Sequence, residues 1–231
     1  MKRFVIGDIH GRIDALKEVL KASKFNYHND KLIVLGDIVD GGPDAFLVIE
    51  ELLQIENLVF VIGNHDRWFM NYLRKGNAPE LWVQQGGQST IESYGGTVGG
   101  HRSIEDSRDI NDIVVPVTHQ EFLNKGVYYH EEDNMIFVHG GFNPTIPIEY
   151  QRDVNLCWDR ELIDFAIGHK IEGWEKVFVG HSTTLCFGTT LPRQRNNLWM
   201  MDTGAGHCGK LTIMNVDTEE YWQSKIQPSC R

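Results

Sequence analysis

The chain has 231 residues, of which 41% are hydrophobic and 23% charged, a composition typical of a globular protein with a sizeable core. Its formal net charge of -10 argues against nucleic acid and anionic membranes as partners, because both repel an acidic surface. The sequence runs from Met1-Lys2-Arg3 directly into an apolar strand, without a signal-peptide pattern or a membrane-length apolar run. We therefore expect a cytoplasmic protein.

The first 75 residues alternate between apolar strands and amphipathic helices. Strands are predicted at 4–6, 32–35 and 58–62. Apolar residues at helical spacing follow each strand, at 13–20, 46–53 and 68–73. This β-α-β-α-β order predicts parallel strands joined by helical crossovers.

The pattern changes around residues 76–127, where glycines and polar residues replace the apolar periodicity and charge is dense from His101 to Asp112. We expect loops and short helices that form a cap over the site, because long loops in compact domains are usually functional. The alternative is a surface insertion without a role.

The second half of the chain is predicted to be mainly β. The predicted elements are a hairpin of 128–130 and 135–139, one helix over 156–166, and strands at 176–179, 198–201 and 211–216. Two sheets packed face to face with helices outside would accommodate both halves. Nothing in the composition separates two domains, so residues 1–231 are expected to form one domain. The four cysteines lack C-x-x-C spacing, which favours reduced thiols.

Each of five predicted strands is followed at its carboxyl end by an Asp, Asn or His that lies beside a glycine. The segments are Gly7-Asp8-Ile9-His10, Gly36-Asp37, Gly63-Asn64-His65, His139-Gly140 and Gly180-His181. Open α/β sheets place their ligands at the carboxyl ends of strands, so these side chains should converge. A set of oxygen and nitrogen ligands without thiolate suits Mn, Fe or Zn better than Ca or Mg alone. Turn formation alone would account for one such motif but not for five.

The candidate ligands divide into two sets that share one carboxylate. The first set is Asp8, His10 and Asp37, and the second is Asp37, Asn64, His139 and His181. Two neighbouring cations stabilise the attacking and leaving oxygens of an in-line displacement at phosphorus, and they acidify a water molecule that becomes the nucleophile.

Two residues beside these ligands, His65 and Asp40, fit a general acid and its partner. A histidine next to a metal ligand is suited to protonating a leaving alkoxide. The carboxylate would fix the imidazole tautomer and keep the imidazolium charged near neutral pH.

These motifs resemble, in the same order, the signature of the calcineurin-like metallophosphoesterases. Within that family the chain is similar to the phosphoprotein phosphatases of the small bacterial and phage type, from Phe4 to about Val216. The resemblance implies an α/β fold in four layers, an αββα sandwich of two mixed sheets with the dinuclear centre at its edge. It implies the same ligand, acid and partner roles for the residues named above.

The resemblance also implies two divalent metal ions per chain, with manganese as first choice and iron, zinc, nickel or cobalt as alternatives. The activity it implies is that of a serine/threonine protein phosphatase, acting on a phosphoprotein or a small phosphoester. Two other hypotheses stay open. One is a symmetrical dinucleoside polyphosphate hydrolase, and the other is a degenerate metal-binding module without turnover.

Three positions bear on the substrate. The family usually has Arg-Gly after the second Asp, whereas this chain has Gly41-Gly42, and glycine does not replace a bidentate guanidinium. Arg160 matches the family's other phosphate-binding arginine, with a surface salt bridge as the alternative, and Arg12 or Arg67 could supply the missing contact. Asp66 stands where protein phosphatases mostly have Glu, and Asp is common there in the dinucleoside tetraphosphate hydrolases.

Overall fold

The computed structural model describes residues 1–76, 78–97 and 113–228, which contain ten strands and eight α-helices. The strands are β1 (Arg3–Ile6), β2 (Lys31–Val34), β3 (Asn57–Phe60), β4 (Tyr129–Glu132), β5 (Met135–Val138), β6 (Lys176–Val179), β7 (Arg193–Arg195), β8 (Leu198–Met200), β9 (Thr212–Asn215) and β10 (Tyr221–Gln223). The α-helices are α1 (Ile13–Ala22), α2 (Ala45–Leu52), α3 (Asn64–Lys75), α4 (Glu80–Trp82), α5 (Gln88–Ser93), α6 (Val117–Asn124), α7 (Asp153–Trp158) and α8 (Glu161–Gly168). A π-helical turn, Val83–Gly87, joins α4 to α5.

Two five-stranded sheets form the framework. The first has the order β10-β9-β1-β2-β3, in which β1, β2 and β3 run parallel. In this sheet β9 pairs antiparallel with β1, and β10 pairs antiparallel with β9. The second has the order β4-β5-β6-β8-β7, with three parallel central strands and an antiparallel strand at each edge. Both sheets are therefore mixed, as the family resemblance implies.

The strands bury both faces, because alternate side chains point to opposite sides of a sheet. Val5 of β1 packs between the sheets with Phe137 and Phe178 of the second sheet, whose rings stack with centroids 5.0 Å apart. Its neighbour Phe4 lies in the cluster that covers the first sheet with α1, α2 and α3. Ile136 lies in the cluster that covers the second sheet with α7 and α8. The layers are thus helix, sheet, sheet, helix, and the predicted αββα sandwich is confirmed.

The prediction of a single helix over 156–166 is wrong, because the helix is interrupted between α7 and α8. Asp159 is extended, and its carboxylate accepts the backbone N–H of Leu162 at 3.0 Å, which helps begin a new helix. The break leaves Arg160 at the junction of the two helices.

The predicted cap falls partly on residues 98–112, so the charged stretch from His101 to Asp112 lies outside the described residues. Short helices do occupy the described parts, namely α4, the π-helical turn, α5 and α6. Trp82 and Ile91 of this segment are fully buried in the cluster over the first sheet, so the segment contributes to the core. Across the described ranges, no helix combines the length and the apolar character that a bilayer crossing requires.

Candidate metal centre

The predicted ligands lie at the carboxyl edges of both sheets, around a cavity of about 760 Å³. Five of the six line this cavity: Asp8, His10, Asp37, Asn64 and His181. The sixth, His139, is fully buried next to them. Parallel strands produce this convergence, because β1, β2 and β3 all end at one edge of the first sheet, as β5 and β6 do in the second.

Two overlapping groups of side chains could each hold a metal ion. The ligand atoms of His10, Asp37 and His65 lie within 4.8 Å of one another, and so do those of Asp37, His139 and His181. Asp37 belongs to both groups, and its Oδ2 lies 3.3 Å from His139 Nε2 and 3.8 Å from His10 Nε2. One carboxylate therefore lies between two candidate cation positions.

The hydrogen bond of His139 turns its free nitrogen towards the site. Its Nδ1 lies 2.6 Å from the carbonyl oxygen of Leu35, so Nδ1 must be the donor, because a carbonyl can only accept. Nε2 then faces Asn64 Oδ1 at 3.0 Å and Asp37 Oδ2 at 3.3 Å. Burial acts to lower the pKa of His139, but the charge of Asp37 and its hydrogen bond outweigh burial and raise the pKa, so the surroundings of Nε2 favour a positive charge, either a proton or a cation. With a neutral imidazole, three acceptors converge on one point, and a cation would satisfy all of them.

The other two candidate histidine ligands are neutral at pH 7. Burial lowers the pKa of His10 to about 4, and the charge of His65 adds to the effect. Burial lowers the pKa of His181 to about 3, and its Nε2 is buried without a hydrogen-bond partner among the described residues. A neutral imidazole with a buried, unsatisfied nitrogen fits a metal ligand.

Three buried carboxylates concentrate negative charge at the site. Asp8, Asp37 and Asp202 are all at least 95% buried. Burial raises the pKa of Asp8, and the charges of Asp202 and Asp37 raise it further. For Asp37, burial acts to raise the pKa, but the charges of His139 and His65 outweigh it and lower the pKa. Divalent cations would stabilise Asp8 in the ionised form as well, so the donor set fits the metal that the sequence predicts.

Four residues of the site have left-handed backbone conformations. The φ angles are 49° for His10, 47° for Asp37, 68° for Asp40 and 59° for His181. Positive φ is uncommon for residues other than glycine and costs on the order of 1–3 kcal/mol each. All four residues lie in the loops that follow β1, β2 and β6, and three of them, His10, Asp37 and His181, line the cavity.

His65 and Asp40 form a close pair beside the candidate cation positions. His65 Nδ1 lies 2.7 Å from Asp40 Oδ2, and Asp40 is fully buried. Burial acts to lower the pKa of His65, but the charge of Asp37 and the hydrogen bond to Asp40 outweigh it and raise the pKa to about 9. The imidazole is therefore protonated at neutral pH, with Nδ1 held by Asp40 and Nε2 available as a proton donor.

Asp66, which is fully buried, supports the loop that carries Asp37. Its carboxylate accepts the backbone N–H groups of Asp37 at 2.7 Å, Gly63 at 2.8 Å and Ile38 at 2.9 Å. It thus joins the end of β2 to the first turn of α3. Asp66 does not line the cavity, so its contribution is to hold the ligand loop in place.

Comparison with known proteins identifies the family. Residues 1–184 match the family model described as calcineurin-like phosphoesterase. The chain belongs to the calcineurin-like phosphoesterase family. Members of this family use divalent metals, which agrees with the ligand groups above.

Two named relatives have different substrates. The protein named serine/threonine-protein phosphatase 1 from Salmonella typhimurium is 25% identical over 92% of this chain and 91% of its own length. A symmetrical bis(5'-nucleosyl)-tetraphosphatase from Nitrosomonas europaea is 29% identical over 64% of this chain, which covers 48% of that protein. This chain therefore spans about half the length of the tetraphosphatase.

A solved structure described as a putative diadenosine tetraphosphatase has the same fold as this phosphoesterase. It matches with a TM-score of 0.66 at 18% identity, over 96% of this chain and 92% of that one.

The phosphoesterase carries one arginine among the described residues that line its cavity, and no lysine among them. That residue is Arg160, whose Nη1 donates to Ser182 Oγ at 3.1 Å. Gly41 lines the cavity at the position where the family usually has arginine. Neither Arg12 nor Arg67 lines the cavity: Arg12 donates to the Pro228 carbonyl at 2.7 Å, and Arg67 lies over the Tyr128 ring.

Several site residues of this phosphoesterase were not predicted from the sequence. Asp202 follows β8 just as the predicted ligands follow other strands, so the same signal could have identified it. Trp158, the last residue of α7, and His207, in a turn after β8, line the cavity without a strand-end motif. Trp82 and Thr90 both contact Asp40, although they lie 42 and 50 residues from it in the chain. No local pattern indicates such distant contacts.

Proposed function

We propose that the chain is a metal-dependent phosphomonoesterase that acts on phosphoserine or phosphothreonine in proteins. The observation that carries this proposal is that the described residues contribute one arginine to the cavity, beside the candidate metal centre. One guanidinium can bind two oxygens of a single phosphate group, and two cations stabilise the attacking and leaving oxygens of one displacement at phosphorus. A tetraphosphate bridge carries four linked phosphates, and the described lining supplies no further arginine or lysine for them.

The proposed metal ligands are the six residues predicted from the sequence, with Asp37 shared between two ions and manganese as the first choice. The ligands are Asp8, His10, Asp37, Asn64, His139 and His181. When bound, the ions would neutralise phosphate charge and acidify the attacking water.

The other proposed roles belong to the side chains around these ligands. Arg160 binds a phosphate oxygen opposite the ligands. His65 donates the proton on Nε2 to the ester oxygen as its bond to phosphorus breaks, so the product leaves as a neutral alcohol. Asp40 accepts the Nδ1–H of His65, which fixes the ring and stabilises its positive charge.

A second candidate is a symmetrical dinucleoside tetraphosphate hydrolase. Trp158 favours it, because this half-exposed indole lines the cavity and offers an apolar face on which a nucleobase could stack. Its ring packs edge-on against Trp68, with centroids 4.9 Å apart, and edge-on against His181 at 5.8 Å. The indole is thus fixed at the edge of the candidate metal centre.

Two assays run side by side in manganese buffer distinguish the two candidate functions. One measures phosphate release from a phosphothreonine peptide, and the other measures cleavage of diadenosine tetraphosphate. We expect turnover of the peptide, and loss of that turnover with a chelator. Cleavage of the dinucleotide alone would establish the second candidate instead. Bound metal without turnover on any phosphate ester would leave the hypothesis of a binding module.

A further inference from the structure

The carboxylate of Asp40 has two further hydrogen-bond partners besides His65. Besides His65 Nδ1, its Oδ2 accepts the indole N–H of Trp82 at 2.7 Å, and its Oδ1 accepts the hydroxyl of Thr90 at 2.5 Å. Asp40, Trp82 and Thr90 are all fully buried. A buried carboxylate with three donors has its plane fixed, because rotation about Cβ–Cγ would break the bonds to both oxygens.

The direction of the Thr90 hydroxyl is determined by a second bond. Thr90 Oγ1 also accepts the backbone N–H of Asp40 at 2.8 Å. The hydroxyl has one proton, and with one acceptor site occupied it directs that proton to Asp40 Oδ1. A single threonine therefore holds both the backbone and the side chain of Asp40.

The two donors reach Asp40 because the helix that carries them is interrupted. Trp82 and Thr90 are eight residues apart, which would place them about 80° apart around a regular helix. The π-helical turn between them has non-helical angles at Gln85 and at Gly86, where φ is 108°. The Gly86 carbonyl also accepts the N–H of Gly41 at 3.2 Å, which ties this turn to the loop that carries Asp40.

The indole of Trp82 is itself held firmly. It packs against the rings of Tyr72 and Phe69, with centroids 5.3 and 6.3 Å away. A Cβ atom added at Gly87 would lie only 2.5 Å from the indole, so the backbone covers its other side closely. The N–H that faces Asp40 therefore has a fixed direction.

We propose that Trp82 and Thr90 are positioning residues for the proton-donating pair of His65 and Asp40. Neither lines the cavity, so neither touches the substrate, and both act through Asp40. Their N–H and O–H bonds hold the carboxylate so that His65 Nε2 points at the leaving oxygen. This inference rests on the proposed function, in which His65 protonates that oxygen.

The dependence of rate on the leaving group distinguishes positioning from general structural support. A leaving alkoxide needs a proton, whereas p-nitrophenolate leaves readily without one. A misplaced acid therefore slows an alkyl phosphate much more than p-nitrophenyl phosphate. Loss of structural support, or of metal, slows both substrates equally.

The test compares Thr90→Val, which keeps the shape and removes the hydroxyl, with Thr90→Ser, which retains it. Measurements are kcat and KM on p-nitrophenyl phosphate, an alkyl phosphate and a phosphothreonine peptide, with metal content and melting temperature for each variant. For Thr90→Val we expect kcat on the alkyl phosphate to fall at least about tenfold more than on p-nitrophenyl phosphate, with KM little changed. Thr90→Ser should restore most of the loss.

Two further variants complete the design. Trp82→Phe removes the other donor and should show the same selective loss, which keeps the test decisive if Thr90→Val folds poorly. Thr184→Val is the matched control, because Thr184 is fully buried and its hydroxyl has no hydrogen-bond partner among the described residues. It should leave the ratio of the two rates unchanged.

An equal fall on both substrates in Thr90→Val and Trp82→Phe would overturn the inference and leave the proposed phosphatase intact. A wild-type chain that cleaves the aryl and alkyl phosphates but not the peptide would refute the protein substrate, while the ratio still tests the positioning. Absence of turnover on every ester would overturn both.

Discussion

At the scale of single residues, the site depends on which nitrogen of each histidine is occupied. His139 Nδ1 donates a hydrogen bond to a carbonyl, and His65 Nδ1 donates one to Asp40. The Nε2 atoms of the two rings face different surroundings. That of His139 lies among acceptor oxygens, which suits a metal ligand. Burial acts to lower the pKa of both histidines, but the charge of Asp37 outweighs burial and raises both, that of His65 to about 9. His139 is fully buried among oxygens, where a cation can take the place of its proton, whereas His65 lines the cavity and can pass its proton to a substrate. Environment, more than residue type, divides the two roles.

The shared carboxylate gives a prediction about metal content. Asp37→Ala should remove both ions, because Asp37 belongs to both candidate ligand groups, whereas His181→Ala should remove one. Elemental analysis after gel filtration in manganese measures this, with the exposed Asp164→Asn as control. Two equivalents retained by Asp37→Ala would contradict the shared ligand.

The acid role predicts a different result for His65→Asn. We expect kcat on the phosphopeptide to fall by a factor of about 10²–10⁴, since general acid catalysis contributes that much. Metal content should stay near that of the wild type. A variant that loses its metal along with its activity would instead make His65 a ligand, as its proximity to His10 and Asp37 allows.

At the scale of elements, the ends of the central strands were predictable from the sequence. The short edge strands, whose pairing depends on distant parts of the chain, were not. A glycine beside a polar residue after an apolar run marks the end of a strand locally, so the six candidate ligands could be listed from the sequence. The strands β7 and β10 were missed, because each has three residues and neither shows a run of apolar side chains. Their pairing depends on neighbours that are distant in the chain.

Asp66 connects two elements, and its removal should therefore cost stability. Asp66→Ala leaves three buried N–H groups without an acceptor, so we expect the free energy of unfolding to fall by about 3 kcal/mol or more. Urea denaturation measures this, with exposed Asp164→Ala as the control.

Asp66 also bears on the substrate, since aspartate at this position is common in the dinucleoside tetraphosphate hydrolases. Because Asp66 does not line the cavity, Asp66→Glu should leave the ratio of peptide to dinucleotide cleavage unchanged. A changed ratio would show that the residue at position 66 affects the choice of substrate through the loop that carries Asp37.

At the scale of the whole molecule, a charged cluster joins the two sheets at the edge where β1 and β2 begin. Glu132 of the second sheet accepts from Lys31 at 2.6 Å and from Arg3 at 3.3 Å, both of the first sheet. Burial acts to raise the pKa of Glu132, but the hydrogen bond and charge of Lys31 and the bonds of His130 and Arg3 outweigh it and lower the pKa to about 2. The cluster helps hold the sheets together only while Glu132 is ionised.

This cluster predicts how stability depends on pH. A carboxyl with a lowered pKa contributes its full stability above its ordinary value, near 4.5, and loses it as the pH falls towards 2. Glu132→Gln should therefore be less stable than the wild type at pH 6, and the difference should shrink at pH 3. Thermal unfolding at both values tests this, with exposed Glu172→Gln as control. A constant difference would exclude the ion pair as its cause.

The position of β1 in the first sheet has a consequence for how the chain is made. β1 pairs with β2 on one side and with β9 on the other, so its second neighbour is residues 212–215. At typical rates of translation, a ribosome needs roughly ten to forty seconds to proceed from the end of β2 to β9. Throughout that time the nascent chain exposes an open edge of a strand that is apolar and buried in the finished protein. β1 is made before β2 but gains its second neighbour only when β9 is made, and until then its open edge is available for pairing with another nascent chain.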